Sequence, residues 1–198
     1  MSSRQTTSKK SAVWDYINIR KQNGYDSELF SDICYYIADA LCYWTGKTYV
    51  GCQKEKSLQD LYQDFFLSLC SLIDYLSMEN EIHASEKDMI DNFVFTGTVY
   101  RYLGKAGAKN RKHIIPQYND TYVSWSKNPQ SNYIESKLYG KCTWMRCEIR
   151  FPMYGIDIEG FHCFFNKTFG ECILIAKGTE REVVFPTIEK YITEIKYI

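Results

Sequence analysis

A chain of 198 residues with 24 Lys+Arg against 24 Asp+Glu, 45% hydrophobic and 24% charged, has the composition of a single globular domain. That composition excludes a largely disordered or fibrous chain, and the zero net charge excludes a global bias toward polyanions. Aromatic residues reach 16%, enough to fill a core and to supply stacking surfaces.

The first twelve residues, rich in Ser, Thr and Lys, read as a loose tail. No apolar stretch follows them and no run approaches the roughly 18 apolar residues of a membrane span, so a cytoplasmic protein without membrane association is expected. From Asp26 to Trp44, Leu29, Ile33, Ile37, Leu41 and Trp44 fall on one helical face. A second helix opens at Ser57-x-x-Asp60, a pattern like a capping box, and carries Leu58, Leu61, Tyr62, Phe65, Leu69, Ile73 and Leu76 on its apolar face. A third starts at Ser85-x-x-Asp88 and turns Met89, Ile90 and Phe93 inward.

After about Asn92 the pattern becomes β-branched and aromatic. Strands are predicted over Phe93 to Tyr102, Thr121 to Ser126, Cys142 to Phe151, Gly170 to Ala176, Arg181 to Phe185 and Tyr191 to Ile198. Helices followed by a mainly antiparallel sheet define an α+β domain over residues 1–198, with a helical part at 13–92 and a sheet part at 93–198.

Eight cysteines (Cys34, Cys42, Cys52, Cys70, Cys142, Cys147, Cys163, Cys172) read as buried thiols. No CxxC occurs and His83, His113 and His162 are scattered, so no metal site is expected. Residues 101–150 hold ten Lys/Arg and three acids, whereas residues 1–100 hold 14 acids and nine bases. Such a basic block suits phosphates of a dinucleotide or a nucleic acid. A solvated loop over Lys105 to Lys112 explains it equally well.

Three features of the second half carry chemistry. They are an Arg on the first strand (Tyr100-Arg101-Tyr102-Leu103-Gly104), a Ser-x-Ser on the next (Tyr122-Val123-Ser124-Trp125-Ser126) and a Glu-x-Glu before an apolar run (Glu180-Arg181-Glu182-Val183-Val184-Phe185-Pro186). Period 2 places Ser124 with Ser126, and Glu180 with Glu182, on one strand face each. Singly they mean little, since Glu79-Asn80-Glu81 repeats the acidic pattern between two predicted helices. Their order is the informative part.

In that order the motifs resemble the Arg, Ser-x-Ser, Glu-x-Glu branch of the mono-ADP-ribosyltransferase fold, over roughly Phe93 to Ile198. The resemblance implies a split antiparallel sheet and NAD as co-substrate. It assigns Tyr100-Arg101 to the dinucleotide phosphates and ribose, and Tyr122, Ser124 and Ser126 to the nicotinamide half, with Ser124 orienting ribose and glutamate. Glu182 becomes the catalytic carboxylate and Glu180 the group that orients or deprotonates the acceptor.

Two departures stand out: Trp125 replaces the usual Thr, and Tyr102-Leu103 separates Arg101 from Gly104. Tyr122, Trp125, Tyr133 and Tyr139 offer rings for nicotinamide, although core packing explains each one as simply. The implied activity is transfer of ADP-ribose to a macromolecule, with protein arginine slightly ahead of an RNA or DNA base as acceptor. The family's habits point to a toxin of a toxin–antitoxin or phage-defence system, or a phage-borne modifier of host proteins, with an inhibitory partner. The alternative from another class is a non-catalytic α+β module that binds nucleic acid or protein.

Overall fold

The computed structural model describes residues 4–48, 56–103, 121–129, 143–171 and 181–197. Among them are five α-helices: α1 (Arg4–Asn23), α2 (Ser27–Thr48), α3 (Lys56–Met78), α4 (Ala84–Phe93) and α5 (Ile158–Phe169). Seven strands accompany them: β1 (Val94–Phe95), β2 (Gly97–Leu103), β3 (Tyr122–Ser126), β4 (Thr143–Ile149), β5 (Gly155–Asp157), β6 (Glu182–Pro186) and β7 (Ile192–Tyr197). The protein is α+β, as its sequence pattern implies. No described helix is long and apolar enough to cross a membrane.

The described residues fall into two compact units. One takes those within Met1–Asp91 and Phe161–Ala176, the other those within Asn92–Gly160 and Lys177–Ile198. The first division falls between Asp91 and Asn92, and the helical unit also receives most of α5.

In the helical unit, α1 begins inside the segment expected to be a loose tail. Val13, Tyr16, Ile17 and Arg20 recur at helical spacing and are all buried. The helix ends at Gly24, whose φ of 80° suits the left-handed cap and whose amide donates to the Arg20 carbonyl at 3.0 Å. Asp26 caps α2 through the amides of Glu28 and Leu29, at 2.9 and 3.0 Å. His83 begins α4: its Nδ1 accepts the Ser85 amide while Glu86 accepts the His83 amide at 3.0 Å, the acidic half of a capping box.

Glu86 is completely buried, with Arg20 Nε at 2.9 Å and the Tyr16 hydroxyl at 2.7 Å. Burial by itself raises the carboxyl pKa, but bonds from Arg20, Tyr16 and the His83 amide outweigh it and hold the group below its ordinary value. Desolvation and the Glu86 bond together push the Tyr16 phenol up. Phe30 packs on Tyr16 at 6.3 Å and meets Phe164 edge to face at 6.4 Å, and within the same unit Trp44 packs on Phe66 at 4.9 Å.

The sheet unit runs β1-β5-β6-β3-β2-β4-β7, with every neighbouring pair antiparallel. Five of the six junctions are ladders of two or more registered pairs, but β2 and β3, in the middle, share the single registered pair Tyr100↔Ser126. One face carries the core: Val99, Val123, Trp125, Met145, Cys147, Val183 and Phe185 cluster with Tyr191. Burying a side chain of this size stabilises the fold by about 1.5–3 kcal/mol.

Phe93 closes α4 rather than opening a strand, and Thr96 separates β1 from β2, whose first residue Gly97 has a φ of 134°, so the expected Phe93 to Tyr102 strand is broken in two. Helix α5 occupies a stretch to which the sequence pattern assigned nothing. Asp157 caps it, accepting the Gly160 amide at 2.9 Å. His162 and Cys163 thus lie on a helix, and Cys163 is exposed rather than a buried thiol. Cys34 and Cys147 are buried, and desolvation, aided by the Glu148 charge, pushes the Cys147 thiol up to about 12. The strand expected over Gly170 to Ala176 starts with Gly170 ending α5, and its remainder beyond Glu171 lies outside the described residues.

Candidate active site

Strand β6 brings Glu182 against β3 in a defined register, Ser126↔Glu182 and Ser124↔Val184. Directly opposed residues of an antiparallel pair share a face, and a diagonal neighbour is within reach of a long side chain. Glu182 uses that diagonal: the Ser124 hydroxyl donates to its Oε1. The ladder is secured past both ends of β6, where the Lys127 amide donates to the Arg181 carbonyl at 3.1 Å and the Thr187 amide to Thr121 at 3.1 Å. Arg181, immediately before Glu182, sits in the left-handed region at φ 49°, a costly conformation for a residue with a Cβ.

Arg101 reaches the same place from the other side of the junction. Because Tyr100 pairs with Ser126, alternation assigns Tyr100 to the face of Ser126 and Glu182, and Arg101 to the core face opposite Met145. Its guanidinium finds a backbone acceptor at the junction. Where β2 and β3 part after their one registered pair, Arg101 Nη1 donates to the Ser124 carbonyl. Guanidinium, hydroxyl and carboxylate are therefore linked in series through one residue, Ser124.

The remaining expected residues have distinct settings. Ser126 is 4% exposed, and its hydroxyl donates to the Asn128 carbonyl at 2.9 Å and accepts the Asn128 amide at 3.0 Å, which commits it to shaping the chain after β3. Tyr122 is half-buried on the face of Ser124, opposite Pro186. Tyr100 lies 5.4 Å from Trp144, ring to ring, on that same face. Trp125 is no stacking platform: it is buried in the core, with Nε1 donating to the Phe185 carbonyl at 3.0 Å. Alternation explains this, since the middle residue of Ser-x-Ser faces away from both serines. Glu180, Tyr133, Tyr139 and the basic stretch Lys105 to Lys112 lie outside the described residues.

Two further features escaped the sequence reading. One is Arg146. The registered pairs Glu182↔Ser126, Ser126↔Tyr100, Tyr100↔Arg146 and Arg146↔Glu194 form one row across five strands. Arg146 Nε is buried there without a hydrogen-bond partner among the described residues. Its strand was legible, but its place in this row depends on pairings between distant segments.

The other is the ion cluster at the start of β6. Lys127 Nζ lies 2.8 Å from Asp157 and 3.0 Å from Glu159, while Arg181 Nε is 3.9 Å from Glu159. Burial opposes the charge on Lys127, but bonds and attraction from Asp157 and Glu159 prevail and raise its pKa above the ordinary lysine value. No group of three or more metal-ligating side chains occurs among the described residues. Comparison with protein-family models, with curated proteins and with solved structures finds no match.

Proposed function

We propose that the sheet unit is the catalytic part of an NAD-dependent mono-ADP-ribosyltransferase. The observation that carries this reading is the serial link of Arg101 to the Ser124 carbonyl and of the Ser124 hydroxyl to Glu182. Residues of three motifs, separated by up to 81 positions in the chain from Arg101 to Glu182, meet at one strand junction, and that meeting supports the reading.

The chemistry follows from charge. Cleavage of the bond between nicotinamide and ribose sends the electron pair to the nicotinamide ring and leaves an oxocarbenium-like sugar. The fixed Glu182 carboxylate stabilises a charge that exists only in transit, so it accelerates the step instead of tightening ground-state binding. The acceptor's nucleophilic atom then bonds to the sugar carbon and gives up its proton, a task assigned by motif to Glu180. Tyr122, on the face of Ser124, flanks the nicotinamide half, and Tyr100, on the same face, the phosphate and ribose region. The buried, unengaged Nε of Arg146 fits a phosphate oxygen of the dinucleotide, because an anion supplies the acceptor it lacks. The acceptor is an arginine side chain by the Glu-x-Glu motif, with a nucleobase as the competing choice.

The test is incubation of the protein with NAD labelled on its adenylate half, alone and with cell lysate, followed by separate protease and nuclease digestion. Expected are release of nicotinamide and label that protease removes, both lost in Glu182→Gln by roughly a hundredfold or more. Label removed by nuclease instead replaces arginine with a nucleobase. Absence of both label and free nicotinamide replaces the enzyme with a binding module.

A further inference from the structure

Resting on that reading, we infer that Lys127 is a positioning residue for the catalytic carboxylate. Its ammonium ties β3 to β5 across the start of β6 and so holds Glu182 within diagonal reach of Ser124. Lys127 directly follows Ser126, the last residue of β3. Its backbone amide extends the β3–β6 ladder one step beyond Ser126↔Glu182, to the carbonyl of Arg181. Strand β6 lies between β3 and β5 in the sheet. To reach both Asp157 oxygens, at 3.0 and 2.8 Å, the Lys127 side chain therefore passes over β6 at that step.

The far anchor is itself held. Asp157 is opposite Val183 on β6 and caps α5 through the Gly160 amide. Glu159, two residues on, takes the same ammonium at 3.0 Å and sits 3.9 Å from Arg181 Nε. Lys127 is 20% and Asp157 12% exposed, so the pair is largely shielded from the screening that makes surface ion pairs weak. Phe95 on β1 lies 5.8 Å below the ammonium.

The need for such a tie is visible in the backbone. Arg181 is held left-handed, a state that persists only where its surroundings over-determine it. Its relaxation to an extended conformation would rotate the peptide that leads into Glu182. The Glu182 to Ser124 bond is a diagonal one and is sensitive to that rotation. A carboxylate displaced by about 1 Å loses up to a hundredfold in rate.

The experiment compares the full-length protein with Lys127→Met and Lys127→Arg in nicotinamide release, together with hydrogen exchange over residues 122–128 and 181–186. For K127M the expected result is kcat lower by about ten- to a hundredfold with KM for NAD within about twofold, and faster exchange in both segments. K127R, which keeps the charge and can fork between the two carboxylates, is expected to recover kcat to within about fivefold of the parent. An active parent with K127M of unchanged kcat, or K127R as impaired as K127M, overturns the inference alone. Unchanged exchange in K127M overturns it whatever the activity. A parent protein that releases no nicotinamide overturns the transferase reading, and with it any catalytic consequence of the tie.

Discussion

Replacing Ser124 with alanine isolates the central link of the site. The hydroxyl donates to the Glu182 carboxylate, and the residue is half-buried on a strand whose neighbours Val123 and Trp125 supply the core packing. Removing one hydroxyl there leaves the register Ser124↔Val184 and the Arg101 bond to the backbone carbonyl in place. A hydrogen bond to an ionised group contributes about 1.5–3 kcal/mol. With a factor of ten for about 1.4 kcal/mol, nicotinamide release is expected to fall roughly ten- to a hundredfold in kcat/KM. The decisive measurement is a double-mutant cycle with Glu182→Gln. If Ser124 works by holding Glu182, the double variant is no slower than E182Q, within about threefold. Multiplying effects would refute that, and would assign Ser124 a separate contact with the substrate.

Two further outcomes test the architecture that supports the site. A Cβ on Gly160 would lie 1.9 Å from the carbonyl oxygen of Asn92, a backbone atom that cannot rotate aside, so Gly160→Ala is expected to destabilise by about 1–3 kcal/mol. An unchanged urea midpoint would show that α5 shifts freely at its first turn. In the helical unit, Glu86→Gln leaves Arg20 buried without its charge partner and is expected to cost about 3 kcal/mol in chemical denaturation at neutral pH. Because the folded Glu86 pKa is lowered, its contribution is complete above the unfolded carboxylate range and disappears as pH falls through the folded value. The gap in Tm between parent and E86Q should therefore narrow on acidification, and a gap that widens contradicts the assignment.

The sequence exposed whatever depends on local period. Leu29 to Trp44 and Leu58 to Leu76 repeat at helical spacing and lie within α2 and α3, and the Ser-x-Ser and the second glutamate of the Glu-x-Glu fall on strands β3 and β6. Helix α1 was hidden because its inward stripe is narrow and includes a charged residue, Arg20, whose burial makes sense only once Glu86 arrives 66 positions later. Helix α5 was hidden by Gly160, a poor helix former that is required by the close Asn92 backbone. Lys127 read as one more basic residue in a basic block. Asp157 and Glu159, its partners, lie 30 and 32 positions away, and their proximity depends on β6 separating β3 from β5.

Arg101 shows how a motif can be legible while its geometry is not. Alternation from Tyr100 assigns it to the core face, away from Ser124 and Glu182, and a regular β2–β3 ladder would leave the guanidinium among Val99 and Met145. That placement is untenable for a group that cannot shed its charge. The single registered pair between the two strands resolves the conflict. Beyond it, backbone groups of β3 that a continuous ladder would occupy are open to a side chain, and the Ser124 carbonyl receives Arg101. The break in the sheet and the arginine thus serve each other: the charge needs an acceptor, and the parted strand needs a donor. Ser124, bound to Arg101 by its carbonyl and to Glu182 by its hydroxyl, is where that structural necessity becomes a site.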